Sequence, residues 1–206
     1  MKKFRIFLIA IMLITATNIV LADSPITSTV FYDSYSEYPI VLKAQKSGVM
    51  NDTIAGFLLN DTLDIGIKAA IINALSWDID GKQNAPLLME YILKKYKLGK
   101  GFDIRLLSAE DIFCLGYLTI MDDYFNTDKP IGILKIAHEK SPKSYTISMI
   151  LALAEAQKAM STDFCEVYKL CKEVDKDKDL TRDLKVTAIT QIFNYINNYK
   201  TYCKGK

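Results

Sequence analysis

The residues of this chain best suited to acid–base chemistry are its one histidine and one pair of adjacent carboxylates. His138 stands beside Glu139 and Lys140 on an amphipathic stretch, and Asp122 and Asp123 stand near the end of an apolar segment. Paired carboxylates can act as general acid and general base. The chain contains neither an HExxH motif nor a nucleophile elbow, and no partner for either group is identifiable. We therefore predict no catalytic residue and no enzymatic activity.

The four cysteines, Cys114, Cys165, Cys171 and Cys203, form no CxxC motif. Cys165 and Cys171 are six positions apart on one predicted helix. Their Cα atoms are then about 9 Å apart along the axis, beyond the roughly 7 Å limit for a disulfide. Cys114 lies on an apolar stripe and is predicted to be a buried thiol. The best disulfide joins Cys203 to Cys165 or to Cys171, and the alternative is that the thiols stay free and buried.

Residues 175–183 resemble a calcium-binding loop in part. Acidic residues occupy the first, third, fifth and ninth positions of the loop, namely Asp175, Asp177, Asp179 and Asp183. The pattern fails at the two positions that matter most, because the sixth residue is Leu180 instead of Gly and the twelfth is Val186 instead of Glu. We predict a solvated inter-helix loop, no metal site and no cofactor.

The first 22 residues have the pattern of a bacterial secretory signal peptide. A short basic start precedes an apolar run from Ile6 to about Ile14, and small residues precede a cleavage point after Ala22. The apolar run is shorter than the roughly 20 residues that a spanning helix needs. We therefore expect export to the periplasm or the medium, with no membrane span in the mature chain.

The charge of the mature chain argues against nucleic-acid binding. The signal holds three of the 26 basic residues and none of the 24 acidic ones, so the remainder carries a net charge of about −1. The mature chain therefore lacks the strong excess of basic residues that is typical of nucleic-acid-binding proteins. About 184 residues remain, enough for one domain with a substantial core. We divide the chain into a signal peptide over 1–22, an extended or flexible segment over 23–37, and one all-helical domain over 38–206.

Apolar residues at a spacing of 3.6 dominate the chain after residue 37, and few segments alternate as strands do. Capping residues and prolines divide this pattern into helices. The predicted helices run over about 62–77, 85–96, 109–125, 129–140, 144–160, 164–174 and 181–199, with one more short helix near Pro39. The fold class predicted is all-α.

A degenerate repeat connects several of these helices. Asp64, Asp111 and Asp183 are each followed five positions later by a small residue. Their spacings of 47 and twice 36 fall within the range of helix-pair repeats. Such hairpins have apolar faces too large to bury alone, so neighbouring hairpins must stack.

Residues 111–175 resemble the tetratricopeptide repeat. Pro142 matches its terminal proline, Ala137 and Leu134 match positions before it, and Leu151-Ala152 match a large–small pair. The first-helix Trp is missing, and the hairpin at 64–96 lacks the closing Pro. The resemblance implies a short α-solenoid, similar to tetratricopeptide or HEAT repeats, that binds a protein or peptide partner.

The same resemblance implies a groove on one side of the stacked helices. Thr119, Asp122, Asp123 and Gln157 fall on that side and are the predicted partner contacts. The function expected is that of a non-enzymatic, exported helical-repeat protein in the cell envelope. The alternatives are a small envelope hydrolase using Asp122 or Asp123, or a periplasmic immunity protein that blocks a toxin.

Overall fold

The structure, a computed structural model, describes residues 24–99 and 101–203. The expected signal peptide therefore lies outside the described residues. Within them the chain forms nine α-helices and no strand; one isolated bridge joins Ser144 to Thr181. The prediction of an all-α fold is confirmed.

The helices, numbered in chain order, have the following bounds: α1 Pro39–Ser47, α2 Asp52–Leu58, α3 Ile65–Leu75, α4 Asn84–Tyr96, α5 Ala109–Asp122, α6 Asp128–Lys140, α7 Tyr145–Ala159, α8 Phe164–Lys176 and α9 Val186–Ile196. Three short 3₁₀ segments accompany them, at Tyr32–Tyr35, Ile104–Leu106 and Asn197–Cys203.

Three helices are capped by the side chain of the polar residue that precedes them. The Ser108 hydroxyl accepts the N–H of Asp111 at 3.1 Å, and the Ser144 hydroxyl accepts that of Ile147 at 3.2 Å. The Asp163 carboxylate accepts the N–H of Cys165 at 2.9 Å before α8. Such side chains satisfy N–H groups that have no partner in the first turn, which explains why these helix starts are predictable.

Several elements differ from the prediction. Helix α3 spans Ile65–Leu75 instead of about 62–77, and α5 ends at Asp122 instead of near residue 125. Helix α2 was not predicted, although Asn51 accepts the N–H of Ile54 at 3.2 Å as its cap. Helix α9 begins at Val186 instead of near 181, because the backbone of Thr181 bonds to Lys143 and Tyr145 instead.

Helix α3 is the centre of the core, since each of its residues is buried. It packs against α1, α2 and α5 and also contacts α7. Helices α5 and α6 form one closely packed pair, and α7 and α8 form another. Helix α6 also packs on α7, and α4 packs on α5. The core is thus continuous from α1 to α8, and Ala188, Ile192 and Ile196 of α9 belong to it as well.

The close approach of α5 and α6 depends on Gly116. A Cβ atom there would lie 2.9 Å from Cγ of the buried Leu134. Gly116→Ala is therefore expected to lower the free energy of unfolding by about 1–3 kcal/mol through overpacking, measured by chemical denaturation.

Gly132, on α6, is the matched control. A Cβ atom at this exposed position meets nothing within 4 Å. Gly132→Ala should stabilise the chain by up to about 1 kcal/mol, because alanine has the higher helix propensity. Equal effects at the two positions would show that α5 and α6 do not pack as described.

Residues 24–37, expected to be extended or flexible, lie on the helical domain and contribute to its core. Ile26 and Phe31 are fully buried, and Tyr35 is 3% exposed. The segment includes a turn at 25–28 and the 3₁₀ segment Tyr32–Tyr35, which packs on α3 and α9. Its apolar side chains fill space that the helices leave open.

A buried ion pair joins α3 to α5. The Lys68 side chain has no exposed surface, and its ammonium donates to the Glu110 carboxylate, whose side chain is 38% exposed. Nearby, Asp111 accepts from Lys95 at 2.9 Å and from the Tyr96 hydroxyl at 2.7 Å. These polar contacts tie the core helix α3 and the end of α4 to the start of α5.

In the part of the chain that the structure describes, no helix combines the length and the hydropathy needed to span a bilayer.

Candidate functional site

A cleft of about 470 Å³ lies between α4, α5 and the start of α6. This volume is within the usual range of ligand sites. Its apolar lining comprises Ala85, Pro86, Met89, Ile104, Leu115, Pro130 and Ile133. Its polar lining comprises Lys82, Thr119, Asp122, Asp123, Asn126 and Lys129. We refer to this cavity as the α4–α6 cleft.

Three of the four predicted contact residues meet here. Thr119, Asp122 and Asp123, at the end of α5, all line the α4–α6 cleft. Gln157 does not line it: it lies on α7, where its Oε1 accepts a hydrogen bond from the Ser24 hydroxyl at 2.5 Å. Residues within one helical turn stay together in any fold, whereas the placement of α7 relative to α5 depends on packing.

Asp122 holds the start of α4 in place. Its Oδ2 accepts the N–H of Ala85 at 2.7 Å, and its backbone carbonyl accepts the N–H of Lys82 at 3.0 Å. Gln83, at the N-cap position of α4, makes no side-chain capping bond. The Asp122 carboxylate therefore acts as a helix cap supplied from a different helix.

Burial changes the acidity of this carboxyl. Asp122 is only 6% exposed, and desolvation raises its pKa, although the N–H groups of Ala85 and Asn84 and the charge of Lys82 act in the opposite direction. Its Oδ1 is buried and has no hydrogen-bond partner among the described residues. Burial thus disfavours the charged form of this carboxyl, whereas the N–H group of Ala85 favours it.

Asp122→Ala should lower the free energy of unfolding by about 1–2 kcal/mol, because the cap of α4 is lost. Asp122→Asn keeps an oxygen for the N–H of Ala85 and should be no less stable than the native chain at pH 7. Urea denaturation of both variants measures these differences.

The pH dependence of stability provides a second readout. Because the pKa of Asp122 is raised on folding, the folded chain binds this proton at a higher pH than the unfolded chain does. The contribution of this group to stability therefore increases as the pH falls through its folded pKa towards about 4. Any excess in the free energy of unfolding of Asp122→Asn over the native chain should therefore become smaller over that pH range. The matched control is Asp123→Asn at the exposed neighbour, and an identical pH profile for both variants would contradict the role of burial.

Lys82 is engaged in structural contacts at the edge of the cleft. Its ammonium donates to the carbonyl oxygen of Leu75 at 2.6 Å and to that of Gly48 at 2.9 Å. Leu75 is the last residue of α3, and Gly48 directly follows α1. The C-terminal end of a helix carries a partial negative charge, which favours the ammonium there. Burial lowers the pKa of this ammonium. Lys82 therefore connects the ends of α1 and α3 through its ammonium and the end of α5 through its backbone N–H.

The groups left for a ligand are mostly apolar. The Thr119 hydroxyl donates to the carbonyl of Leu115 at 2.7 Å, and Asp123 Oδ1 accepts the N–H of Phe125 at 3.2 Å. Exposed Asp123, Asn126 and Lys129 form a polar rim. Phe125, which is 69% exposed, packs against Tyr124 with ring centroids 4.2 Å apart.

Sequence reasoning missed the walls of the cleft. Met89, Ile104 and Ile133 are partly exposed apolar residues from three separate segments. No local pattern distinguishes such residues from others that pack in the core, because only the packing of α4 on α5 leaves them uncovered.

The other residues singled out by their chemistry lie elsewhere. Cys165 is bonded to Cys203, one of the two predicted pairings, with Cα atoms 4.8 Å apart. Cys114 and Cys171 are free and buried, and burial raises the pKa of Cys171 to about 12. His138 is partly exposed in the last turn of α6.

The carboxylates of residues 175–183 do not lie close together around one point. Asp183 lies at the start of α7, where it accepts the N–H of Thr146 at 2.7 Å and the Ser144 hydroxyl at 2.6 Å. Asp175 pairs with Lys172, and Asp177 accepts the N–H of Asp179. Among the described residues, no group of three or more acidic, histidine or cysteine residues is placed to hold a metal.

The α4–α6 cleft thus combines an apolar interior with a polar rim. No family model, curated protein or solved structure matches this chain.

Proposed function

We propose that this chain is a non-enzymatic, exported protein of stacked helical hairpins that binds a protein or peptide partner in the cell envelope through the α4–α6 cleft. The observation that carries the proposal is the cleft itself, with its volume of about 470 Å³ and its largely apolar walls. The cleft includes Thr119, Asp122 and Asp123, three residues expected to contact the partner.

The exposed side chains near the cleft favour a macromolecular partner. Phe125, next to the lining residue Asn126, is 69% exposed, and Leu106, two residues from Ile104, is 63% exposed. Large apolar side chains exposed around a concave site are typical of protein-binding surfaces. A partner that inserts an apolar side chain would cover them and leave the rim charges at the edge of the interface.

The helix order supports a short α-solenoid that resembles tetratricopeptide or HEAT repeats. The pairs α5–α6 and α7–α8 pack closely, α6 packs on α7, and α5 also contacts α7, as in consecutive stacked hairpins. The first part of the chain departs from this pattern, since α3 packs mainly on α1 while α4 packs on α5. The resemblance thus applies best to residues 109–176.

The disulfide supports export. Stable disulfides are typical of oxidising compartments such as the periplasm, and Cys165 is bonded to Cys203. Together with the pattern of residues 1–22, this bond favours a mature protein that begins after Ala22 and is periplasmic or secreted.

Site-specific photocrosslinking in the source cells tests the proposal. A photoreactive amino acid replaces Asn126, on the rim of the cleft, or Lys178, an exposed residue of the loop after α8. We expect a crosslinked protein from position 126 and none from position 178. The same products from both positions, or none from position 126, would contradict the proposal.

A variant that fills the α4–α6 cleft tests whether the crosslink depends on the cleft itself. Met89→Arg should abolish the crosslink at position 126, because a long charged side chain then occupies the cleft. Asn194→Arg, an exposed position on α9 with the same change of charge, should leave it intact.

If the captured partner is a toxin, the protein is a periplasmic immunity protein. The hydrolase alternative is less well supported, since one oxygen of Asp122 caps α4.

A further inference from the structure

Residues 24–32 lie across the helical domain in the manner of a bound peptide. The Ser24 hydroxyl donates to Gln157 on α7, and seven residues later the backbone of Phe31 is held by Asn73 on α3. The segment therefore spans the faces of two core helices. Gln157, predicted to contact a partner, here contacts this segment.

Asn73 recognises the backbone of the segment. Its Oδ1 accepts the N–H groups of Phe31 at 2.8 Å and Tyr32 at 3.1 Å, and its Nδ2 donates to the carbonyl of Thr29 at 3.1 Å. The same Nδ2 donates to the Tyr117 hydroxyl of α5 at 3.1 Å. An amide that both accepts from and donates to one stretch of backbone binds that stretch independently of its side chains.

Two apolar anchors provide selectivity. The side chains of Ile26 and Phe31, five residues apart, are fully buried, whereas Val30 between them is 46% exposed. The stretch Ser24–Tyr32 contains no charged residue. Ser24, Pro25, Thr27 and Thr29 are buried as well, so that Val30 is the one exposed residue of this stretch. Bulky side chains buried in a groove are the usual anchors of a bound peptide.

The segment is joined to the domain by a short exposed connection. Ser36 and Glu37 are exposed and precede α1. A short covalent tether gives a bound segment a high effective concentration, on the order of millimolar. Such a tether keeps a groove filled even where the affinity of the free peptide is modest.

We propose that the surface around Asn73, formed by α3, α5 and α7, is a second binding site, specific for uncharged peptides with two bulky apolar residues five positions apart. In this chain residues 24–32 occupy it. The proposal is independent of the α4–α6 cleft.

Cutting the tether after folding tests the proposal. A protease recognition site is inserted between Ser36 and Glu37 of the chain that begins at Asp23, and the folded protein is cleaved. A fluorescent synthetic peptide of residues 24–36 is then added, and its anisotropy is followed together with the circular dichroism of the protein. We expect the cut protein to stay helical and to exchange its segment for the labelled peptide, while the uncut protein binds little of it.

Changes in the synthetic peptide alone leave the folding of the protein unaffected. Replacing Phe31 with Ala in the peptide should weaken binding roughly 100-fold or more, as expected for the loss of a buried aromatic anchor. Replacing the exposed Val30 with Ala should change binding by less than about threefold. Loss of helical structure on exchange, failure to exchange, equal binding to uncut protein, or equal affinity of the two variant peptides would each overturn the proposal. These outcomes do not depend on crosslinking at the cleft.

Discussion

Glu110→Ala is expected to lower the free energy of unfolding by about 3 kcal/mol. The Lys68 side chain has no exposed surface, and its ammonium donates to the carboxylate of Glu110. Removing one partner of a buried pair leaves an uncompensated charge, which costs about 3–5 kcal/mol. We expect the lower end of that range, because the Glu110 side chain is 38% exposed and solvent screens the pair in part. Urea denaturation measures the change.

A double variant separates the effect of the buried charge on stability from the effect of the lost side-chain volume. Lys68→Met together with Glu110→Ala should recover most of the stability, since no buried charge remains. Glu139→Ala, an exposed position on α6, is the matched control and should change stability by less than about 0.5 kcal/mol. If the double variant is as unstable as Glu110→Ala alone, the buried charge is not the cause.

Reduction of the Cys165–Cys203 disulfide should lower the free energy of unfolding by about 4 kcal/mol. The bond spans 38 residues, and closing a loop of this size restricts the unfolded chain by about that amount in the chain-entropy model. Denaturation with and without a reductant measures the difference.

The variant Cys165→Ala/Cys203→Ala provides the control for reduction. Its stability should match that of the reduced chain and should not respond to the reductant, since Cys114 and Cys171 are free and buried. A response of the double variant equal to that of the native chain would show that the reductant acts elsewhere.

Most helices could be predicted because their signals are local. Ser108, Ser144 and Asp163 cap the helices that follow them, and each bond joins residues at most three positions apart. Helix α2 was missed because its seven residues are too few to show a clear apolar period. The start of α9 was misplaced because Thr181 and Asp183 bond to residues near the start of α7, about 37 positions away.

The candidate site could be predicted only where it is contained in one helix. Thr119, Asp122 and Asp123 occupy the end of α5 and remain together. The N–H that Asp122 accepts, by contrast, belongs to Ala85, 37 positions earlier in the chain. Gln157 was assigned to the same surface by analogy between repeat units, but residues 24–32 approach α7 and engage it.

The sequence by itself determined the helical class, the capping of the main helices and the separation of Cys165 from Cys171, because these depend on hydrogen bonds and spacings within a few residues. Only the tertiary structure decided that α4 packs on α5 to leave a cleft, that Cys203 reaches Cys165, and that residues 24–32 cover Asn73. Burial of apolar surface drives this packing and is non-directional, so the pattern of apolar residues specifies that a face is covered but not which segment covers it.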